Sequence, residues 1–113
     1  MKKIIVTTSW DDGHILDLKL AELLKKYGLK GTFYIAPECE EILPINRLTR
    51  EQVFTLSKDF EIGAHTMTHP DMRLLSNEQI EREISDSKKI LEKWTSSSVK
   101  SFCYPSGNYL LKH

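Results

Sequence analysis

The fold prediction starts from Ile4-Ile5-Val6-Thr7-Thr8-Ser9-Trp10-Asp11-Asp12-Gly13, where an apolar run leads into two acidic residues. A second run, Phe60-Glu61-Ile62-Gly63-Ala64, leads into His65 and, four positions later, His69. Short apolar runs bounded by turn residues are typical of buried strands. One carboxylate and two imidazoles can hold a divalent metal and leave a coordination position open for water or substrate. The sequence therefore predicts a hydrolytic metal centre formed where two strands end.

Four short apolar runs alternate with three amphipathic segments along the chain. This order is typical of beta-alpha-beta units and predicts an α/β fold with parallel strands. The strands are expected over residues 3–9, 31–35, 60–64 and 100–104. Two helices are expected to begin at capping boxes, Thr49-Arg50-Glu51-Gln52 and Ser76-Asn77-Glu78-Gln79. The residues expected to face the core from the three helices are Leu16, Leu20, Leu23, Leu24, Tyr27, Val53, Phe54, Leu56, Ile80, Ile84, Ile90, Leu91 and Trp94.

Polar residues come after three of the four predicted strands. Asp11 and Asp12 follow the first strand, the two histidines follow the third, and Pro105-Ser106-Gly107 follows the fourth. Because parallel strands all run the same way, their carboxyl ends lie at one edge of the sheet. We therefore expect these residues to meet, which favours a metal site over two less specific interpretations. Those are an Asp-Asp-Gly turn that caps a helix and an ordinary pair of surface histidines.

The residues of the predicted site divide into three roles. Adjacent aspartates of a strand point in different directions, which suits two roles: Asp12 could bind the metal while Asp11, nearby but not bound, acts as the base. His65 and His69 are the other candidate ligands. Tyr104-Pro105-Ser106-Gly107 is typical of a turn. It is also a candidate wall of a substrate groove, in which the aromatic ring stacks on a sugar and a backbone amide faces an oxyanion.

Composition and charge exclude several classes of partner. The 16 basic and 16 acidic residues of this 113-residue chain give a formal net charge of zero, so no field of one sign attracts nucleic acid or an anionic membrane. The apolar part of the N-terminal segment is too short for a secretory signal, and no segment is long enough to span a bilayer. Cys39 and Cys103 do not form a Cys-x-x-Cys pair and are expected to be free thiols. We therefore expect a cytoplasmic protein without nucleic-acid or membrane partners.

Three stretches resemble the polysaccharide deacetylase family, whose members carry the NodB homology domain and form carbohydrate esterase family 4. Ser9-Trp10-Asp11-Asp12-Gly13 resembles the family's first motif, Thr-Phe-Asp-Asp-Gly. Gly31-Thr32-Phe33-Tyr34-Ile35 is similar to its second strand. Gly63-Ala64-His65-Thr66-Met67-Thr68-His69-Pro70, followed by Leu74, resembles the second motif, His-Ser/Thr-x-x-His. The resemblance covers nearly the whole chain.

The resemblance implies a function and a set of residue roles. Asp11 is the implied catalytic base, and Asp12, His65 and His69 are the implied ligands of a divalent ion, most simply Zn²⁺, with Co²⁺ or another divalent ion as alternatives. The implied reaction is hydrolysis of an N-acetyl or O-acetyl group on a carbohydrate polymer, aided by a backbone amide near Ser106. Two alternatives remain, a hydrolase of other non-peptide carbon–nitrogen bonds and a catalytically inert fragment that binds metal or sugar.

The third motif departs from the family pattern. Phe102-Cys103-Tyr104-Pro105-Ser106-Gly107 stands where the family has Arg-x-x-Pro-Tyr-Gly, so no arginine is present there to orient the base. The family's later motifs, including the histidine that acts as general acid, would lie beyond residue 113. Leu111-Lys112-His113 has the letters of the last motif, Leu-x-His, but follows Pro105 too closely to be its counterpart.

The resemblance also implies a distorted beta/alpha barrel. Residues 1–113 would form a single partial domain, roughly the first half of that barrel. An open half-barrel leaves edge strands and apolar surface exposed. A second copy of the chain, or a missing C-terminal half, is therefore expected to cover the open side. The remaining expected partner is the acetylated carbohydrate substrate.

Overall fold

Three parallel strands and three helices alternate along residues 2–111, the part of the chain that the computed structural model describes. The strands are β1 (Ser9–Asp12), β2 (Thr32–Ile35) and β3 (Glu61–Ala64). The helices are α1 (Asp17–Lys26), α2 (Arg50–Ser57) and α3 (Asn77–Thr95). The strands form one sheet in the order β1-β2-β3. This confirms the predicted α/β fold with parallel strands.

The core lies between the sheet and the helices. Phe33 of β2 is fully buried, stacks on Trp10 of β1 with ring centroids 5.8 Å apart, and meets Phe60 edge-on at 5.3 Å. Helices α2 and α3 pack against β3 and against each other, and they contribute the fully buried Val53 and Leu91. Burying an apolar side chain of this size stabilises a fold by about 1.5–3 kcal/mol. This cluster therefore holds the helices against the sheet.

Both predicted capping boxes are present. Thr49 Oγ1 accepts a hydrogen bond from the backbone N–H of Gln52 at 3.2 Å, and Gln52 Oε1 accepts one from the N–H of Thr49 at 2.8 Å. Ser76 and Gln79 make the same pair of contacts at 3.2 and 2.9 Å. Each box satisfies two backbone donors that the first turn of a helix leaves unpaired. The starts of α2 and α3 are therefore local features of the sequence.

The inner faces of α2 and α3 consist of the predicted residues, with one exception. The buried or half-buried residues are Val53, Leu56, Ile80, Ile84, Ile90, Leu91 and Trp94. The prediction was wrong for Phe54, which is 41% exposed and lies beneath the Lys58 ammonium, 5.0 Å from the ring centroid. Among residues 2–111, no helix combines the length and the apolar character that crossing a membrane requires.

The inner face of α1 differs from the prediction. Its buried residues are Asp17, Ala21 and Leu24. The prediction is confirmed for Leu24, which is buried, and for Leu20, which is half-buried against the core. It was wrong for Leu16, Leu23 and Tyr27, which are exposed. Neighbouring positions on a helix are rotated by about 100° from one another, so the apolar pattern identified only part of the inner face.

Strand β1 begins later than predicted. Residues 3–8 lie outside it, and Ile4, Ile5 and Val6 are 85%, 76% and 81% exposed. The pairing with β2 begins where the N–H of Thr32 donates to the carbonyl of Thr8 at 3.1 Å. Strand β2 starts at Thr32, directly after the turn that follows α1, and is too short to pair with the residues before Thr8. Within residues 2–111, the apolar run before Thr8 therefore lies beyond the start of β2, the strand that would have supplied its hydrogen bonds.

The predicted fourth strand is reduced to a single parallel bridge between Ala64 and Phe102. The N–H of Ala64 donates to Ser101 O, and the N–H of Cys103 donates to Ala64 O, both at 2.9 Å. A 3-10 turn, Pro105–Gly107, follows directly and ends the pairing, because proline has no N–H to donate. The last two residues of Leu111-Lys112-His113 lie outside the described residues.

The chain turns sharply where β1 ends. Asp12 and Gly13 have φ angles of 85° and 87°, in the left-handed region that residues other than glycine rarely adopt. A Cβ on Gly13 would lie 2.9 Å from Cγ2 of Ile35, a buried side chain of β2. Glycine at this position therefore allows the backbone to leave β1 close against the neighbouring strand.

We expect Gly13→Ala to lower the free energy of unfolding by about 2–4 kcal/mol, because both the backbone angle and the Ile35 contact oppose a methyl group. Urea unfolding followed by circular dichroism measures the loss. Gly28→Ala is the matched control: Gly28 has a φ of 67°, but a methyl group there would point into open space, with nothing within 4 Å. Its loss should be about 1–2 kcal/mol. Equal losses in the two variants would contradict the importance of the Ile35 contact.

Candidate metal centre

Asp12, His65 and His69 meet at the carboxyl ends of β1 and β3. Asp12 is the last residue of β1, and His65 directly follows β3. Asp12 Oδ1 lies 3.2 Å from His65 Nε2 and 3.1 Å from His69 Nε2. One ligand atom from each of the three residues lies within 4.8 Å of the other two. The three predicted ligands are therefore close enough to share one ion.

In its neutral form, His65 presents an unprotonated nitrogen to Asp12. Its Nδ1 lies 2.7 Å from the backbone oxygen of Cys103, which can only accept, so in the neutral ring the proton is on Nδ1. The side chain is 1% exposed, and its Nε2 makes no hydrogen bond. A nitrogen lone pair then faces a carboxylate oxygen at 3.2 Å, a contact that is repulsive until a cation lies between the two atoms. This orphaned buried nitrogen fits a divalent metal.

His69 is oriented in a similar way by a different neighbour. Its Nδ1 lies 3.2 Å from Oε1 of Glu41, in the loop between β2 and α2. The contact is electrostatic and lacks the alignment of a hydrogen bond. The negative charge still favours the proton on Nδ1, which leaves Nε2 free to bind a cation. The two imidazole rings are tilted at 59° with centroids 4.9 Å apart, so both nitrogens can reach one ion.

Cys103 connects Asp11 to the three candidate ligands, because it contacts both Asp11 and His65. The Cys103 thiol donates to Asp11 Oδ2 at 3.8 Å, while the carbonyl of the same residue contacts His65. Burial, and then the negative charge of Asp11, raise the pKa of the thiol, so it stays protonated and able to donate. Cys103 thus contacts the carboxylate near the position where the family motif has an arginine. Cys39 and Cys103 are both free, as predicted.

The turn that was predicted to line a groove follows Cys103 directly. Pro105 is buried, Ser106 and Gly107 are exposed, and Tyr104 is half-buried. The ring of Tyr104 meets Phe102 edge-on at 5.1 Å and lies 5.2 Å from the ring of Tyr109, which is 56% exposed. An aromatic surface therefore lies next to the Cys103 contacts, and its role in binding stays a prediction.

Sequence reasoning missed Asp17, at the start of α1. This residue is 9% exposed, and its Oδ2 is buried without a hydrogen-bond partner. Burial, followed by the negative charges of Asp12 and Asp11, raises the pKa of Asp17 to about 6. An acidic residue in the first turn of a helix is normally interpreted as a solvated partner of the helix dipole. The helical spacing Asp17, Ala21, Leu24 was the signal that could have placed it inside.

The chain matches the family model described as polysaccharide deacetylase over residues 1–112, and it belongs to this family. A peptidoglycan-N-acetylglucosamine deacetylase from Bacillus cereus is 30% identical over 94% of this chain and 47% of its own length. The structure of the Streptococcus pyogenes deacetylase PplD in complex with acetate is 28% identical, has a TM-score of 0.87, and is matched over 97% of this chain and 50% of that one. The predicted fold class, parallel units forming part of a distorted beta/alpha barrel, is confirmed by this likeness.

A further solved structure is similar to this chain in fold only. A CE4 family pseudoenzyme from Bacillus anthracis is 24% identical with a TM-score of 0.76, over 96% of this chain and 37% of that one. The same architecture is therefore found in a protein described as a pseudoenzyme, and catalysis does not follow from family membership. The chain spans 37% and 47% of the length of the first curated relatives that it matches.

The free energy of unfolding should respond to Asp17 between about pH 4 and pH 6. Its pKa is 3.8 as an ordinary side chain and about 6 in the folded protein, so the folded state binds the proton more tightly. The resulting stabilisation is complete below about pH 4 and is lost as the pH rises through about 6. Asp17→Asn does not titrate and should gain about 1–3 kcal/mol relative to wild type between pH 4 and pH 7. Urea unfolding without added metal measures this difference, and a pH-independent difference would contradict the buried carboxyl.

Proposed function

We propose that this chain carries the metal centre of a hydrolase that removes acetyl groups from N-acetylated, or O-acetylated, carbohydrate polymers. The observation that carries the proposal is the convergence of His65 Nε2 and His69 Nε2 on Asp12 Oδ1, with His65 Nε2 buried and without a hydrogen-bond partner. Two histidines and one carboxylate are a known ligand set of catalytic zinc, which keeps a further position for water or substrate. Zn²⁺ is the first candidate, with Co²⁺ or another divalent ion as the alternatives.

The proposed chemistry divides between the ion and the side chains. When bound, a divalent cation supplies Lewis acidity, which lowers the pKa of a water and polarises an acetyl carbonyl. Asp12, His65 and His69 would hold it. Asp11 would accept the proton of the attacking water, because it lies outside the ligand set while Cys103 contacts its Oδ2. A thiol in contact with one carboxylate oxygen restricts the rotation of the base and leaves the other oxygen able to accept a proton.

The proposed substrate surface is the turn after Cys103. Tyr104, Pro105, Ser106 and Gly107 would form one wall of the groove, with the ring pair of Tyr104 and Tyr109 offering an apolar face to a sugar. The backbone amide near Ser106 would face the oxygen of the acetyl group as negative charge develops on it. The name of the Bacillus cereus relative and the acetate bound to the Streptococcus pyogenes structure support polymers of N-acetylglucosamine as the first substrates to test.

We also propose that residues 1–113 form a single partial domain of this family. The exposed apolar run Ile4-Ile5-Val6 and the short strands support a covering partner, either a second copy of the chain or a C-terminal half of the barrel. The balanced net charge argues against nucleic-acid and membrane partners. A cytoplasmic location stays a prediction.

A catalytically inert metal- or sugar-binding protein is the second candidate. Phe102, which replaces the arginine of the family motif, favours it, because the side-chain hydrogen bond to Asp11 within residues 2–111 comes from the neutral Cys103 thiol and not from a cation. The metal centre would also suit hydrolysis of other non-peptide carbon–nitrogen bonds. Assays of acetate release from chitooligosaccharides, and of ring opening of small cyclic amides, separate these candidates.

Asp12→Ala should abolish both zinc uptake and acetate release, because it removes the oxygen on which both histidines converge. Zinc per chain is measured by mass spectrometry of dialysed protein, and acetate is measured with zinc or cobalt supplied. Asp86→Ala, at an exposed position of α3, is the control and should keep the wild-type zinc content. Equal zinc content in wild type and Asp12→Ala would show that the ligand assignment is wrong.

Asp11→Asn should keep the metal and lose the reaction, because the amide has the shape of the carboxylate but cannot accept the proton. We expect a decrease in acetate release of about 100-fold or more, with zinc content unchanged. Acetate release at the wild-type rate would contradict the assignment of Asp11 as the base. Loss of zinc in this variant would instead make Asp11 a fourth ligand.

A further inference from the structure

The segment that carries both histidines, residues 65–69, has an unusual backbone and is called the metal loop below. Thr66 and His69 both have left-handed φ angles, 67° and 64°. Such angles are rare for residues other than glycine, and for a β-branched residue such as Thr66 they are a genuine outlier. Inside the loop, Thr66 Oγ1 accepts from the N–H of His69 at 3.1 Å and donates to the carbonyl of His65. A strained conformation of this kind persists only where its surroundings determine it.

Glu83 of α3 makes three hydrogen bonds to the middle of the metal loop. Its Oε2 accepts from the backbone N–H groups of Met67 and Thr68 at 2.8 and 3.1 Å. Its Oε1 accepts from the hydroxyl of Thr68 at 2.7 Å. Two successive N–H groups that point to one anion form a backbone nest, and the Glu83 carboxylate occupies it. Hydrogen bonds to an ionised acceptor are among the strongest in proteins.

The carbonyl side of the metal loop is held by the chain that follows β2. The N–H of Glu38 donates to Met67 O at 2.8 Å, and the N–H of Glu40 donates to Thr68 O at 3.1 Å. Met67 and Thr68, in the middle of the loop, are therefore bonded through both their N–H and their carbonyl groups. Glu83 is the member of this arrangement that comes from a helix, which is a more rigid support than a loop.

We propose that Glu83 is a positioning residue that sets the geometry of the metal loop, and thereby the affinity of the centre for its ion. The inference rests on the proposed metal centre and adds to it a residue that touches neither the ion nor the three ligands. Without the Glu83 carboxylate, the nest between His65 and His69 loses its anion, and the loop keeps only the restraints from Thr66 and from the chain after β2. The two imidazole nitrogens then no longer converge on Asp12 before the ion arrives.

The test compares zinc binding by wild type and Glu83→Gln in the full 113-residue chain, with competition against a chromophoric chelator. Glutamine has the length of glutamate and its carbonyl oxygen can still accept from the two N–H groups, but it removes the negative charge that strengthens these hydrogen bonds. We expect the dissociation constant for Zn²⁺ to rise about 10- to 100-fold, the range found when outer partners of metal ligands are replaced. The visible spectrum of the Co²⁺ form should change, and the Met67 and Thr68 amides should exchange faster in the metal-free protein.

Glu81→Gln is the matched control, because Glu81 lies on the same helix and is exposed. It should bind zinc as wild type does. A second pair of variants covers the outcome in which Glu83→Gln does not fold. Thr68→Val removes only the hydroxyl contact and should weaken zinc binding to a smaller extent, whereas Thr68→Ser keeps that contact and should not.

The outcomes distinguish this inference from the proposed function. A folded Glu83→Gln that binds zinc within a factor of two of wild type overturns the positioning role and leaves the metal centre intact. If Glu83→Gln does not fold, equal zinc affinity in Thr68→Val and Thr68→Ser overturns it in the same way. Absence of zinc binding in the wild-type protein overturns the metal centre itself, and the positioning role with it. A lower melting temperature with unchanged zinc affinity would make Glu83 a structural residue only.

Discussion

The candidate site depends on the pairing register of the three parallel strands, whose carboxyl ends are aligned. Asp12, Ile35 and Ala64 are aligned in one row across the sheet. Neighbouring strands are about 4.8 Å apart, so the backbones of Asp12 and Ala64 are separated by about 10 Å, with β2 between them. The turn at Gly13 and the loop after Ala64 then bring one carboxylate and two imidazoles together across that gap. A shift of one residue in either pairing would send the side chains to opposite faces of the sheet.

Negative charge surrounds this row of residues and couples the site to stability. Burial, and then the charges of Asp12 and Asp11, raise the pKa of Asp17, and Glu41 lies against His69. With no cation present, the negative charges beside Asp17 add to the cost of ionising its buried carboxyl group. A bound divalent ion reverses the sign of the local field and removes that cost. An ion that bound only the native state would therefore stabilise the fold.

The sequence could predict that Asp12, His65 and His69 meet, because their positions follow from chain direction. Residues that end parallel strands share one edge of the sheet, and this argument needs only the order of strands and helices. The capping boxes at Thr49 and Ser76 were predictable for a similar reason, since their contacts span three residues. Asp17 and Glu83 were not predictable in this way. The first depends on the rotation of α1, and the second depends on which turn of α3 lies beside the metal loop.

The strand boundaries show the limit of local patterns. Residues 3–8 and 100–104 have the composition of strands, but a strand also needs a neighbour that is long enough to pair with it. Strand β2 begins too late for the first segment, and Pro105 ends the second after one bridge. Strands β2 and β3 were predicted to within one residue, because the apolar runs that encode them pair with each other along nearly their full length.

The exposed run Ile4-Ile5-Val6 has a consequence for the behaviour of the chain in concentrated solution. It combines β-branched side chains with high exposure and precedes β1, which pairs on one side only among residues 2–111. Such a segment is a template for intermolecular strand addition, the first step of fibrillar aggregation. Lys2 and Lys3 stand directly before it, and charges in that position act as gatekeepers that slow the growth of a stacked assembly.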